Sequence, residues 1–170
     1  MHEKHSFYSV VNKTSKIVNE ITNFICVVLL TAQVISILIM VGGRYIFHNS
    51  PAWTEQFALF CMIWFTMLSI SLGVAKDNHV KIDIIDRFVK GKGLFFLKCF
   101  ANVCIIVWGV VLIVYGMSLS KLTWSTMLSA FRVPVGLQYA AAVVGGVLMS
   151  FNSIVSIIQL VHTEFFKEDN

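Results

Sequence analysis

The side chains that could carry out acid–base, redox or metal chemistry are few and widely spaced in this 170-residue chain. The four cysteines show no C-x-x-C spacing, so they predict neither a zinc site nor a disulfide framework. Asp83 and Asp86 could share one side of a helical turn, but two carboxylates among nearby cations are typical of a solvated surface. The sequence has no nucleophile motif and no glycine-rich phosphate loop. We therefore predict that the chain is not an enzyme and holds no cofactor of its own.

The elements that would have to position any such group are membrane helices. Hydrophobic residues make up 57% of the chain and charged residues only 13%, against about 25% charged residues in soluble domains. Four stretches of 23, 20, 22 and 31 residues contain no Asp, Glu, Lys or Arg. About 20 such residues cross the hydrocarbon of a bilayer. We predict one all-α integral membrane domain over 1–170, a four-helix bundle with spans at 20–43, 56–75, 97–120 and 134–161.

The connections between the spans predict how the chain is oriented. The termini and the 76–98 connection carry ten Lys and Arg residues, and the other side carries three, which places both termini in the cytoplasm. Within that connection, apolar residues recur at helical spacing and predict a short amphipathic helix along the membrane surface at about 80–90. Its apolar positions are Ile82, Ile85, Phe88 and Val89. A solvated loop with chance periodicity is the alternative for this segment.

No predicted span contains an Asp, Glu, Lys, Arg or His away from its ends. Proton-driven pumps and exporters need such a group inside the membrane to bind and release the coupled proton. All five histidines lie in tails, connections or span ends, which also disfavours a membrane haem. Gln33 and Asn152 lie inside spans, where hydrogen bonding between helices is the favoured role and a part in a transport path the alternative.

Small residues recur at positions that allow helices to approach closely. Pairs four residues apart and single glycines predict packing stripes in three of the spans. These residues are Ser69, Gly73, Gly109, Gly116, Ala141, Ala142, Gly145 and Gly146. Packing stripes without an embedded charge are what we expect of a scaffold or subunit.

Two motifs go further than composition. The segment from Arg44 to Glu55 reads RYIFHNSPAWTE, and the segment from Gly73 to Asp83 reads GVAKDNHVKID. As a set they resemble the small membrane subunit of tripartite ATP-independent periplasmic (TRAP) transporters, the DctQ-like family, which has R-Y-x-F, P-x-W-T-E and H-[IV]-x-[IVL]-D elements at these places. Gln56 departs from the second Glu that many members carry, which leaves Glu55 as the acidic residue of the motif.

The resemblance implies a function that composition does not show. A small subunit of this family would sit in the bacterial inner membrane and brace a large permease subunit, which itself carries the substrate and sodium. A periplasmic binding protein would deliver an organic acid, with sialic acid preferred and a dicarboxylate possible. The alternatives are a self-sufficient oligomeric four-helix channel or exporter, and a membrane assembly factor with no transport role.

Five residues at the outer ends of the spans are candidates for partner contacts. They are Arg44, Trp53, Glu55, Lys121 and Arg132. Each has a plainer alternative: Arg44 and Glu55 could form an ion pair within the chain, Trp53 could anchor at the membrane interface, and Lys121 and Arg132 could be ordinary end charges that snorkel to water.

Overall fold

The described part of the chain forms four long helices. The computed structural model describes residues 2–46, 48, 51–77, 92–128 and 132–168. Its helices are α1 (His2–Ile46), α2 (Ala52–Asp77), α3 (Lys92–Leu122) and α4 (Gly136–Glu168). No β-strand occurs in these ranges. Each helix contains a segment long and apolar enough to cross a membrane: Val10–Ile46, Ala52–Lys76, Phe95–Leu122 and Gly136–Val161. The predicted all-α fold with four candidate membrane-spanning helices is confirmed.

Three helices begin before the predicted spans, and all four continue beyond them. The difference is largest in α1, which has 45 residues and is therefore about 68 Å long, against about 30 Å of hydrocarbon. Charged residues such as Lys13, Lys16 and Glu20 end an apolar span, but they do not end a helix, because in water their side chains are solvated. The surface helix predicted at 80–90, with Ile82, Ile85, Phe88 and Val89, lies outside the described residues.

The start of α2 is fixed by a proline and a threonine. Pro51 precedes the helix, and the backbone N–H and hydroxyl of Thr54 both donate to the Pro51 carbonyl, at 3.2 and 2.7 Å. Thr54 is fully buried, so this turn is held against the rest of the bundle. Glu55 lies in the first turn and Lys76 in the last, where each charge is favourable to the helix dipole.

The described residues on the two sides of the connection between α3 and α4 pair with each other. Met127 and Pro134 form an isolated β-bridge, and the Val135 N–H donates to the Thr126 carbonyl at 2.8 Å. These contacts hold Pro134 in the loop, so α4 begins at Gly136, two residues after the predicted start. A side chain at position 136 would collide with the Ser120 carbonyl and with Trp124, which explains the glycine there.

The helices pack in the spatial order α1, α2, α4, α3. The extensive contacts are those of α1 with α2, α2 with α4, and α4 with α3, and α1 meets α4 at only a few positions. A small apolar core of Cys26, Leu68 and Leu72, with Leu148 packed against it, joins the first three of these helices. The sequence predicts four helices but not this order.

The two outer helices in this order present apolar side chains to their surroundings. In the most apolar 18-residue segment of each helix, the buried share is 11% for α1 and 6% for α3, against 22% for α2 and 44% for α4. Phe24 and Leu38 of α1 and Phe96 and Trp108 of α3 are each at least 60% exposed. Such surfaces suit hydrocarbon or another membrane protein, not water.

Candidate functional site

Polar groups of all four helices meet near the end of the bundle at which α1 begins and α4 ends, here called the terminal end; α2 contributes the backbone carbonyl of Ser71, and the other three helices contribute side chains. The opposite end, with residues 44–55 and 121–136, is the hairpin end. The meeting point, which we call the polar junction, consists of Asn19, Ser71, Asn102, Asn152 and Ser153. It is the most connected group of polar side chains in the described part of the chain.

Asn152 of α4 ties α1 and α2 together within the junction. Its side-chain amide donates to Asn19 Oδ1 of α1 at 3.1 Å and to the Ser71 carbonyl of α2 at 3.0 Å. Asn152 is only 1% exposed, and Asn19 is itself held by a 3.2 Å bond to Ser15. The geometry fits the role expected for Asn152, hydrogen bonding between helices.

Ser153, the next residue of α4, connects α4 to α3. Its hydroxyl lies 2.8 Å from Asn102 Oδ1 and 3.0 Å from the Asn102 carbonyl, and the Asn102 amide donates to the Lys98 carbonyl at 2.9 Å. Nearer the ends of the helices, Gln159 of α4 donates to Asn12 Oδ1 of α1 at 2.6 Å. Two consecutive residues of α4 therefore join it to its neighbours on both sides: Asn152 to α1 and α2, and Ser153 to α3.

The junction can hold helices together but contains no group that binds and releases a proton near neutral pH. Its members are amides and hydroxyls, which do not titrate near neutral pH. Hydrogen bonds between membrane helices contribute about 0.6 to 2 kcal/mol each. Among the described residues, no Asp, Glu, Lys, Arg or His lies in the middle of a candidate span, and no group of three or more His, Cys, Asp or Glu is placed to hold a metal ion.

The face that α1 turns inward is small and polar, while its outward face is apolar. Its buried and half-buried positions alternate in steps of four and three residues, the spacing of helices that pack side by side at a shallow angle. They include Ser15, Asn19, Thr22, Cys26, Gln33 and Ser36. Gln33 Oε1 is buried and has no hydrogen-bond partner among the described residues, so the bond expected between helices is not formed by this atom.

Four of the predicted packing residues bring α3 and α4 into close contact. Gly109 lies against Gly146 and Ser150, so closely that a Cβ at position 146 would come within 2.8 Å of the Gly109 carbonyl. Gly116 lies against Ala142 and Val143. These contacts place the backbones of α3 and α4 close together over about two turns.

The other predicted packing residues divide between two surfaces. Gly145 lies against Met67 of α2, and Ala141 is completely buried. Gly73 is exposed and a Cβ there would meet nothing within 4 Å, while Ser69, one turn earlier, is half-buried and hydrogen-bonds Cys26. The Ser69 and Gly73 stripe therefore borders a groove between α1 and α2.

The predicted partner-contact residues lie on exposed surface at the hairpin end. Arg44 is in the last turn of α1 and Glu55 in the first turn of α2, and the structure records no ion pair between these two side chains. Trp53 is 41% exposed. Lys121 is in the last turn of α3, and Arg132 has a positive φ of 47° in the loop before α4. The structure brings none of them into a buried cluster.

Sequence reasoning missed four members of the polar junction. Asn19 and Asn102 lie close to predicted span ends, where a polar residue is expected to face water. Ser71 and Ser153 are small enough to be ordinary residues of a membrane helix. The signal that could have found Asn19 is its place in the four-and-three spacing of polar residues along α1.

Comparison of the sequence with known proteins identifies the family of this chain. The family model described as "Tripartite ATP-independent periplasmic transporters, DctQ component" matches residues 33–163, about three quarters of the chain. Two proteins of Haemophilus influenzae, each named a putative TRAP transporter small permease protein, are similar over 149 residues. One is 24% identical, with 88% of this chain and 91% of the relative covered, and the other 26% identical, with 86% and 89% covered.

A longer relative is similar to part of the chain. The sialic acid TRAP transporter permease protein SiaT of Haemophilus influenzae is 30% identical over 79 residues, which are 46% of this chain and 12% of that protein. The resemblance found from the two sequence motifs is thus confirmed at the level of the family. With four apolar helices joined by hydrogen bonds and a family match over most of its length, the chain belongs to the DctQ family of small permease components of TRAP transporters, and it is a transport component and not an enzyme.

Proposed function

We propose that this chain is the bracing subunit of a sodium-coupled TRAP transporter in a bacterial inner membrane. In this role it holds the large permease subunit in place while that subunit moves an organic acid delivered by a periplasmic binding protein. The substrate and the sodium bind to the large subunit. Sialic acid is the preferred substrate, and a dicarboxylate is the alternative.

The polar junction is the observation that carries this proposal. The polar side chains at Asn152 and Ser153 are used to bind α1, α2 and α3 to α4, and no Asp, Glu, Lys, Arg or His lies in the middle of a described span. A membrane protein that moves solute against a gradient needs a site for the coupling ion. Because no described span has an Asp, Glu, Lys, Arg or His in its middle, a coupled proton would have no carrier there, which supports a static role beside a partner that binds the coupling ion.

The relative SiaT supports the pairing with a larger permease. The matched residues are only 12% of that protein, so a segment like this chain forms part of a much longer chain named a permease. The name of this relative also supports the preference for sialic acid.

The orientation of the chain is also a proposal. The count of ten Lys and Arg residues against three supports a cytoplasmic terminal end and a periplasmic hairpin end. A C-terminal fusion to green fluorescent protein should fluoresce, and a fusion to alkaline phosphatase at the same place should be inactive. An active phosphatase fusion would contradict this orientation.

Co-purification and uptake test the function together. A tag on this chain should retain the permease encoded beside it, and vesicles with both subunits and the binding protein should accumulate sialic acid only with an inward sodium gradient. If a C4-dicarboxylate is taken up and sialic acid is not, the substrate preference is wrong and the bracing role stands. If no larger protein is retained and the chain alone conducts solute, the channel alternative replaces this proposal.

A further inference from the structure

A groove lies between α1 and α2. Its volume is about 250 Å³, far above the roughly 15 Å³ that one water molecule needs. It is lined on α1 from Asn23 to Leu30 and on α2 from Phe65 to Lys76. Because α1 and α2 are adjacent in the helix order, the groove opens on the outer surface of the bundle, at the terminal end.

The groove has a polar mouth and an apolar channel. Asn23 and Lys76 line the mouth, and both are exposed. Farther from the terminal end, the walls are formed by Val27, Leu30 and Phe65. The mouth therefore offers one cation, Lys76, to a lipid headgroup, and the rest of the groove suits hydrocarbon.

The dimensions of the groove match one leaflet of a bilayer. From Lys76 to Phe65, α2 rises about 16 Å, and half of the hydrocarbon core is about 15 Å. Lys76 is the last residue of the candidate span of α2, which places the mouth at the level of the headgroups. A transmembrane helix with its side chains is about 10 to 12 Å across, too thick for a groove of this volume and length.

We propose that this groove holds one phospholipid of the leaflet at the terminal end. The phosphate lies at Lys76 and Asn23, and one acyl chain runs along the apolar channel toward Phe65. The bare edge at Gly73, where an added Cβ meets nothing within 4 Å, leaves room for the chain. This lipid completes the contact between α1 and α2, which the chain itself leaves open on this side.

Two glycines make a matched test of the channel. Position 42 on α1 is also open, with nothing within 4 Å of an added Cβ, but it lies at the hairpin end, away from the groove. Gly73→Leu should place a side chain in the channel without disturbing the helices, and Gly42→Leu adds the same bulk elsewhere. Native mass spectrometry of the full chain, after incubation with phosphatidylglycerol in detergent, counts the lipid that remains bound.

The expected result is one retained phosphatidylglycerol per wild-type chain and at least a fivefold loss of it in Gly73→Leu but not in Gly42→Leu. Lys76→Gln should lower retention to the level of diacylglycerol, which lacks the phosphate, and the matched change Lys121→Gln at the hairpin end should not. Both lysines are exposed, so these two variants do not depend on refolding of the core.

Three outcomes would overturn the lipid site. Equal retention in Gly73→Leu and Gly42→Leu would mean that the lipid binds elsewhere. Equal retention of phosphatidylglycerol and diacylglycerol by the wild type would remove the role of Lys76. If Gly73→Leu releases the large permease subunit while the lipid count is unchanged, the groove seats a protein and not a lipid.

Discussion

A hydrogen bond inside a membrane stabilises the fold because the groups that form it have no water as an alternative partner. Asn152 shows how this physics is used: its amide hydrogens bond to Asn19 of α1 and to the Ser71 carbonyl of α2. Its Oδ1 is buried without a partner among the described residues, so the two bonds that the amide group donates orient the side chain. The interaction is specific in direction and therefore fixes the heights of three helices relative to one another.

Two serines of α4 test whether such bonds stabilise the fold. Ser153→Ala removes the hydroxyl bound to Asn102 and should lower the free energy of unfolding by about 1 kcal/mol. Ser150→Ala removes a hydroxyl that has no partner among the described residues, so it should cost less than about 0.5 kcal/mol. Thermal unfolding of the purified chain in one detergent compares the two variants. A loss in Ser150→Ala as large as that in Ser153→Ala would contradict the role of the bond.

The helices themselves are joined by close approach as well as by hydrogen bonds. Gly109 and Gly146 allow the backbones of α3 and α4 to approach, because neither has a side chain to keep them apart. On the other face of α4, Gly145 does the same for α2 at Met67. The position of α4 between two neighbours thus follows from adjacent small residues that face different helices.

Alanine at two glycines separates close packing from helix propensity. Gly146→Ala places a methyl group against the Gly109 carbonyl and should destabilise the chain by about 1 to 3 kcal/mol, the usual cost of overpacking. Gly42→Ala fills open space, so stability should be unchanged or rise by up to about 1 kcal/mol. The measurement is again thermal unfolding in detergent. Equal stability of the two variants would show that α3 and α4 do not pack as described.

The sequence predicts where the helices lie along the chain better than which helices pack against each other, for a physical reason. Charges are costly inside hydrocarbon, so Arg44, Glu55 and Lys121 mark span ends reliably. The stripes at Ala141, Ala142, Gly145 and Gly146 show that α4 is closely packed, but small residues fit any partner equally well. Which helix meets which stripe depends on the three-dimensional arrangement.

The same limit applies to the polar junction. Asn152 is identifiable because an amide deep in a span needs a partner. Asn19 and Asn102 are not, because near a span end water is an equally good partner. The partners of Asn152 could be identified only once α1, α2 and α4 were placed together.

At the scale of the whole molecule, the interior of the bundle contains both apolar and polar side chains, and the outer helices expose apolar faces. The exposed apolar faces of α1 and α3 need lipid or a partner, and the exposed charges at the hairpin end are free of the buried core. In the proposed complex, one outer face meets the large permease subunit, and the hairpin end faces the periplasm.

Charge reversal at the hairpin end tests whether Arg44 and Glu55 act within the chain or on a partner. Arg44→Glu and Glu55→Arg should each weaken sodium-driven uptake by about tenfold, equivalent to about 1.4 kcal/mol, because both charges are exposed and available to a partner. The double swap should not restore uptake, since no ion pair joins the two side chains. Full restoration would show that the pair acts within the chain.

The second outer loop tests docking of the binding protein. Lys121 and Arg132 are exposed cations, and alanine at both should make uptake less sensitive to salt, because exposed charges mainly steer association. Uptake measured between low and high ionic strength at limiting binding protein reports this. An unchanged salt dependence in the double alanine variant would exclude these residues from docking.

Accumulation of solute in proteoliposomes tests the central claim most directly, that this chain supports transport without powering it. Vesicles with this chain alone, the large permease alone, or both are given the binding protein, labelled sialic acid and an inward sodium gradient. We expect accumulation above the outside concentration only when both subunits are present. Accumulation against the gradient in vesicles that contain this chain as their only membrane protein would contradict the account.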